Sequence, residues 1–126
     1  MTKHSTDLRT LLRDPSLLET RAFVAGEWVD ADDGATFDVT NPARGDVIAK
    51  VADLGRAETA RAVDAAEAAM KDWAARPAKE RAQVMRKWFD LMMEAQDDLA
   101  RILTAEMGKP FPEAKGEIAY GASFVE

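Results

Sequence analysis

The spacing of apolar residues changes once, near Gly55, and that change constrains the fold more than any other feature of the chain. Before it, Phe37 and Val39 alternate with Thr36, Asp38 and Thr40, and Val47, Ala49 and Val51 repeat the alternation. A period of two belongs to strands, because successive side chains point to opposite faces. After it, Ala62, Val63, Ala66, Met70 and Trp73 recur at helical spacing. The pattern predicts an α/β chain in which small hairpins come first and amphipathic helices follow.

The turn residues locate the hairpins. Phe23, Val24, Trp28 and Val29 flank Gly26, which reaches positive φ without steric cost. Asn41-Pro42-Ala43-Arg44-Gly45 separates the next two alternating runs: asparagine bonds its own backbone, proline presets φ, and glycine accepts a left-handed geometry. Two successive β-hairpins over 23–52 are expected. The residues before them, 1–22, read as a loosely docked arm. Leu8, Leu11 and Leu12 share a helical face there, giving a short helix near 6–13 that Pro15 stops. The only histidine, His4, lies in this arm and reads as solvated.

Three helices are expected after the hairpins. The first spans 57–75, with Gly55 as N-cap and Glu58 three residues on. The second begins at Pro77 and carries Met85, Trp88, Phe89, Met92, Leu99, Ile102, Leu103 and Met107, with a bend or break across Glu94 to Asp98. Gly108, Pro110 and Pro112 end it. The third starts near Pro112 and bears Ile118, Tyr120, Phe124 and Val125, and the pattern is still running at Glu126. Two small hairpins and three apolar-striped helices need something to pack on; the helices could pack on each other, yet hairpins, then helices, then an abrupt end read as the opening of a larger α/β fold. Trp73, Trp88, Phe89, Met92 and Phe124 are accordingly expected to be partly exposed, leaving the isolated chain marginally stable and prone to associate.

Composition narrows the function. Seventeen Lys and Arg against 23 Asp and Glu give a formal charge of −6, which disfavours general binding to nucleic acid. No apolar run approaches the ~18 residues of a membrane span. Asp7, Arg9, Arg13 and Asp14 break up any secretion-signal core. The expected setting is cytoplasmic. The 126 residues include no cysteine, so the chain carries no thiol nucleophile, disulfide or thiolate metal site.

Nor do the other residue types assemble a reactive centre. Gly26, Gly34, Gly45 and Gly55 lie far apart in turns, and no phosphate-cradling fingerprint is present. Asp32-Asp33, Asp97-Asp98 and the Glu113/Glu117 pair read as solvated turns and helix starts, not metal ligands. No catalytic, cofactor-binding or metal-binding residue is expected within this chain.

Several stretches nonetheless resemble one family. Phe-Val-Ala-Gly-Glu-Trp-Val at 23–29 and Asp-Val-Thr-Asn-Pro-Ala-Arg-Gly-Asp at 38–46 are similar to the opening hairpins of the NAD(P)-dependent aldehyde dehydrogenases. So are Trp-Phe-Asp-Leu-Met-Met-Glu at 88–94, Gln-Asp-Asp-Leu-Ala-Arg at 96–101, Gly-Lys-Pro at 108–110 and Gly-Glu-Ile-Ala-Tyr at 116–120, which resemble the succinate-semialdehyde dehydrogenase branch. Ala25 departs from the asparagine frequent in the family's first turn.

The resemblance, covering about 20–126, implies the N-terminal part of the aldehyde dehydrogenase fold, incomplete without a downstream parallel sheet. Residues 23–126 would belong to the NAD(P)-binding domain and 1–22 to an N-terminal arm. It implies oxidation of a small-molecule aldehyde, succinic semialdehyde to succinate, by a cysteine thiolate with NADP or NAD, in a dimer or tetramer. The implied nucleophile, glutamate base, oxyanion asparagine and cofactor strands all fall beyond Glu126, so the isolated chain should be inactive and bind no cofactor. Tyr120, and next Phe124, are the positions the resemblance places at a substrate tunnel, with core packing as the competing role. Trp28, Asn41 and Gly45 read as scaffold. The other reading is a stand-alone, non-catalytic helical interaction module derived from such an enzyme.

Overall fold

The computed structural model describes residues 7–126; His4 lies outside the described residues. Strands β1 (Ala22–Val24) and β2 (Glu27–Val29) form one antiparallel hairpin, and β3 (Thr36–Thr40) and β4 (Val47–Ala52) form another. Helices α1 (Arg56–Ala75), α2 (Ala78–Glu94), α3 (Gln96–Met107) and α4 (Phe111–Ser123) follow.

The first turn forms despite Ala25. Ala25 takes φ 53° and Gly26 φ 86°, the paired left-handed geometry of a two-residue hairpin, with Phe23 opposite Trp28 across the strands. In the second hairpin Asp38 faces Lys50, and the two pair at 2.6 Å. Asn41 closes the turn as expected: its side-chain oxygen accepts from the Ala43 amide at 2.9 Å, and Gly45 takes φ 74°.

Helix α1 begins where its capping residues place it, one residue ahead of the expected start. Glu58 Oε2 accepts from the Gly55 amide at 3.0 Å, and Oε1 accepts from the Asp32 amide at 3.0 Å. The helix region holds four helices among the described residues, not three. The long second stripe is cut at Ala95, whose ψ of 7° departs from helical geometry, so α2 and α3 are separate. Gly108 ends α3 with φ 81°, and a Cβ there would stand 3.2 Å from Pro42 Cγ. The α3–α4 corner thus rests on the turn of the second hairpin.

The N-terminal segment differs most from expectation. Residues 8–11 and 15–17 form two 3₁₀ turns instead of one helix, and Pro15 opens the second turn instead of ending the first. This segment is not loosely docked. Leu8, Leu12 and Leu18 are buried and pack with Ile48, Ile102 and Ala105, forming the main apolar cluster of the described residues. Leucines spaced along two tight turns reach β4 and α3 together, a contact that local periodicity does not reveal.

Candidate functional site

Helix α4 has a buried side and an open side. Ala114 and Ala122 are fully covered, and small residues there let α4 lie close to its neighbours. Tyr120 and Phe124, four residues apart, stand on the open side at 64% and 73% exposure. Their rings meet edge to face with centroids 4.9 Å apart, an arrangement favoured by the ring quadrupoles. The structure therefore brings the two sequence-selected residues together and keeps both out of the core of this chain.

Both ends of α4 are fixed. At its start Phe111 lies under the Arg101 guanidinium at 5.2 Å, and Lys109 pairs with Glu117. At its end Arg86 of α2 pairs with Glu126 at 2.8 Å while its guanidinium covers the Phe89 ring at 4.9 Å. The aromatic pair is thus carried on a rigid helix.

The tripeptide Gln96-Asp97-Asp98 holds the α2–α3 break from two sides. Gln96 Nε2 donates to the Lys115 carbonyl at 2.9 Å, and Asp97 pairs with the Lys115 ammonium at 2.7 Å, so both grip α4. Asp98, 6% exposed, turns the other way and accepts from the Arg13 and Asp14 amides at 2.9 and 2.8 Å. Those donors hold its carboxyl below the usual carboxylate range against the opposing effect of burial, with Arg101 assisting. Sequence reasoning treated Asp97-Asp98 as a solvated helix start. The missed signal is an acid at the third position of a helix that lacks a side-chain cap.

Of the other acids noted from sequence, Asp32, Asp33 and Glu117 are also engaged. Asp32 receives both contacts of Arg61, at 2.7 and 2.8 Å, and Asp33 accepts from the Ala35 amide at 2.9 Å. Among the described residues no three His, Asp or Glu side chains converge in a way that could hold a metal. Arg21 hydrogen-bonds Glu19 and brings its carboxyl down to about 2, which keeps it an ion at ordinary pH.

Residues 28–126 match the Aldehyde dehydrogenase family. The chain belongs to that family. Glutarate-semialdehyde dehydrogenase of Pseudomonas putida is 56% identical over 115 residues, 91% of this chain and 24% of its own length. A 3-sulfolactaldehyde dehydrogenase of Pseudomonas putida is also 56% identical, and the NADP(+) succinate-semialdehyde dehydrogenase of Escherichia coli is 55% identical, with the same coverage. The solved succinate-semialdehyde dehydrogenase of Burkholderia pseudomallei superposes with a TM-score of 0.88 at 56% identity, covering 90% of this chain and 23% of that one. The hairpins and four helices are the N-terminal part of the aldehyde dehydrogenase fold, and the chain spans about a quarter of the length of the curated relatives it matches. Among the described residues no helix is long and apolar enough to cross a membrane.

Proposed function

We propose that this chain supplies the N-terminal quarter of an NAD(P)-dependent dehydrogenase for aldehydes that carry a terminal anionic group, succinic semialdehyde first among them. One observation carries the substrate class. Three relatives at 55–56% identity are named for different aldehydes, yet glutarate and succinate semialdehydes end in a carboxylate and sulfolactaldehyde ends in a sulfonate. The shared chemistry is an aldehyde at one end and a fixed anion at the other, which a cationic or hydroxyl-bearing clamp would recognise.

The residues of this chain serve as wall and support in that reading. Tyr120, backed by Phe124, presents an aromatic face and a phenolic hydroxyl from a helix pinned at both ends, and so borders the substrate tunnel. Residues 23–126 form the leading part of the cofactor-binding domain, and the whole enzyme works in the cytoplasm as a dimer or tetramer. The nicotinamide cofactor, NADP or NAD, accepts the hydride when bound; Gly26, Gly34 and Gly45 form separate turns in this chain and do not make a phosphate loop. Without a cysteine the 126-residue chain has no thiol nucleophile for the aldehyde carbon.

Two assays test the reading. The purified chain, given succinic semialdehyde with NADP or NAD, should show no substrate-dependent absorbance of the reduced cofactor. A chimera in which residues 1–126 replace the matching quarter of the Escherichia coli relative should reduce NADP with succinic semialdehyde, and Tyr120→Ala in it should raise KM more than it lowers kcat. A folded chimera that oxidises only uncharged aldehydes defeats the substrate class, and unchanged kinetics for Tyr120→Ala removes that residue from the tunnel.

A further inference from the structure

Asp98 is the one charged residue buried among the described residues. Its position, third in α3, is where an acid commonly folds back on the first amides of its own helix. Instead, each carboxylate oxygen accepts one amide from the N-terminal segment, Arg13 on Oδ1 and Asp14 on Oδ2. Both amides are presented outward because Leu12 is extended, with φ −90° and ψ 142°, between the two 3₁₀ turns.

The segment is braced internally. Arg9 donates to the Pro15 carbonyl at 2.9 Å and to the Leu18 carbonyl at 2.7 Å, stapling the first turn to the second. Asp7 and Asp14 cap the two turns through the Arg9 and Ser16 amides, each at 3.0 Å. Among the described residues, the hydrogen bonds joining 7–18 to the helices are the two on Asp98. The rest of its attachment is the apolar contact of Leu8, Leu12 and Leu18. The same segment walls a cavity of about 1000 Å³, with Leu8 and Leu11 facing Val47, Ile48, Ala105 and Phe111 from β4 and the α3–α4 corner.

We propose that residues 7–18 are a rigid strap that opens as one unit from this cavity, and that Asp98 is its latch. A body with its polar bonds inside itself, tied outward at one carboxylate, detaches before it unfolds. The Thr20 carbonyl, which accepts from the Ala52 amide of β4 at 2.9 Å, marks the fixed end about which the strap swings.

Amide hydrogen exchange on the full 126-residue chain tests this. Asp98→Asn keeps one acceptor and turns a donor toward the second amide. Amides of Leu12, Arg13, Asp14, Leu17 and Leu18 should exchange together, about 10-fold faster, the scale of a lost bond to a charged group, while α3 and α4 amides hold their rates. Asp97→Asn, which releases only Lys115, should leave strap exchange unchanged. Unchanged strap exchange in Asp98→Asn overturns the proposal, as does an equal acceleration through α3. Should Asp98→Asn fail to fold, Leu12→Ala loosens the apolar half: the strap amides must again accelerate as a set, and acceleration confined to Leu12 and its neighbours overturns the proposal.

Discussion

Replacing Gly108 by alanine tests whether the α3–α4 corner is seated on the second hairpin. Two costs apply. A left-handed backbone costs an L-residue about 1–2 kcal/mol, offset by about 0.4–1 kcal/mol because alanine restricts the unfolded chain. The new Cβ must also displace Pro42, whose Cγ would be 3.2 Å away. Pro42 sits in a turn closed by the Asn41 side chain, so it yields with difficulty, and overpacking of this kind costs about 1–3 kcal/mol. Gly45 supplies the reference: its φ is 74° against 81° for Gly108, and nothing lies within 4 Å of its added Cβ. Gly45→Ala should therefore cost about 1 kcal/mol and Gly108→Ala about 2–4 kcal/mol. Urea denaturation followed by the fluorescence of Trp28, Trp73 and Trp88, with far-UV circular dichroism in parallel, reads the difference. Adding Pro42→Ala to both backgrounds isolates the contact, because the excess cost of Gly108→Ala should vanish once the ring is gone. If the two glycine variants lose the same stability, or the excess survives without Pro42, the corner is not seated as described.

Further outcomes follow from particular residues. Because the Asp98 carboxyl is held below its ordinary value of 3.8, its contribution to stability is present above that pH and lost as pH falls through the lower folded-state value. The urea midpoint should show that acid limb as pH falls below 3.8, diminished in Asp98→Asn; the charges acting on it are Arg101 and Arg13, with Glu94 and Asp97 lining the same cleft. Tyr120→Ala in this chain should change stability by less than about 0.5 kcal/mol, since the ring is outside the core, and a larger loss by urea denaturation would restore a packing role. Trp88, at 54% exposure, and Phe124 should drive association: sedimentation velocity is expected to show concentration-dependent oligomers that a Trp88→Gln, Phe124→Ser variant reduces. Helix α1 should lose exchange protection from start to end, because Asp32 and Glu58 tie down only its first turns and none of its 20 residues is buried.

Local chemistry made much of this fold readable. Gly55 and Glu58 fix the start of α1, the alternation at 36–40 and 47–52 fixes the second hairpin, and Gly108 before Pro110 fixes the end of α3. Each of these signals acts within a few residues. What escaped reading acts across the chain. Leu8 and Leu12 gave an apolar face but not its partners, which lie some 40 and 90 positions away at Ile48 and Ile102. Asp98 looked like any acid at a helix start because its donors are 85 and 84 residues distant. Ala25 shows the converse: strand pairing of Phe23 with Trp28 imposes the turn, and the residue accepts φ 53°. At the candidate site, helical spacing told that Tyr120 and Phe124 share a face. Which face it is depends on where Ala114 and Ala122 pack, a tertiary fact.

The surface left by this packing bears on the enzyme as a whole. A helix at the edge of a globule needs one apolar stripe. Helix α2 has two: Met85, Phe89 and Met92 are half-buried, while Val84, Trp88 and Leu91 on another face are exposed. Helix α4 repeats the arrangement, with Ala114 and Ala122 inside and Tyr120 and Phe124 outside. Helices apolar on two sides belong to a middle layer, covered from both directions. The described elements provide one cover, through α3 and the contact of α2 with α4. Relatives roughly four times as long have the chain length to provide the other, and an aromatic pair enclosed between two layers would become the wall of a cavity, the role proposed for Tyr120.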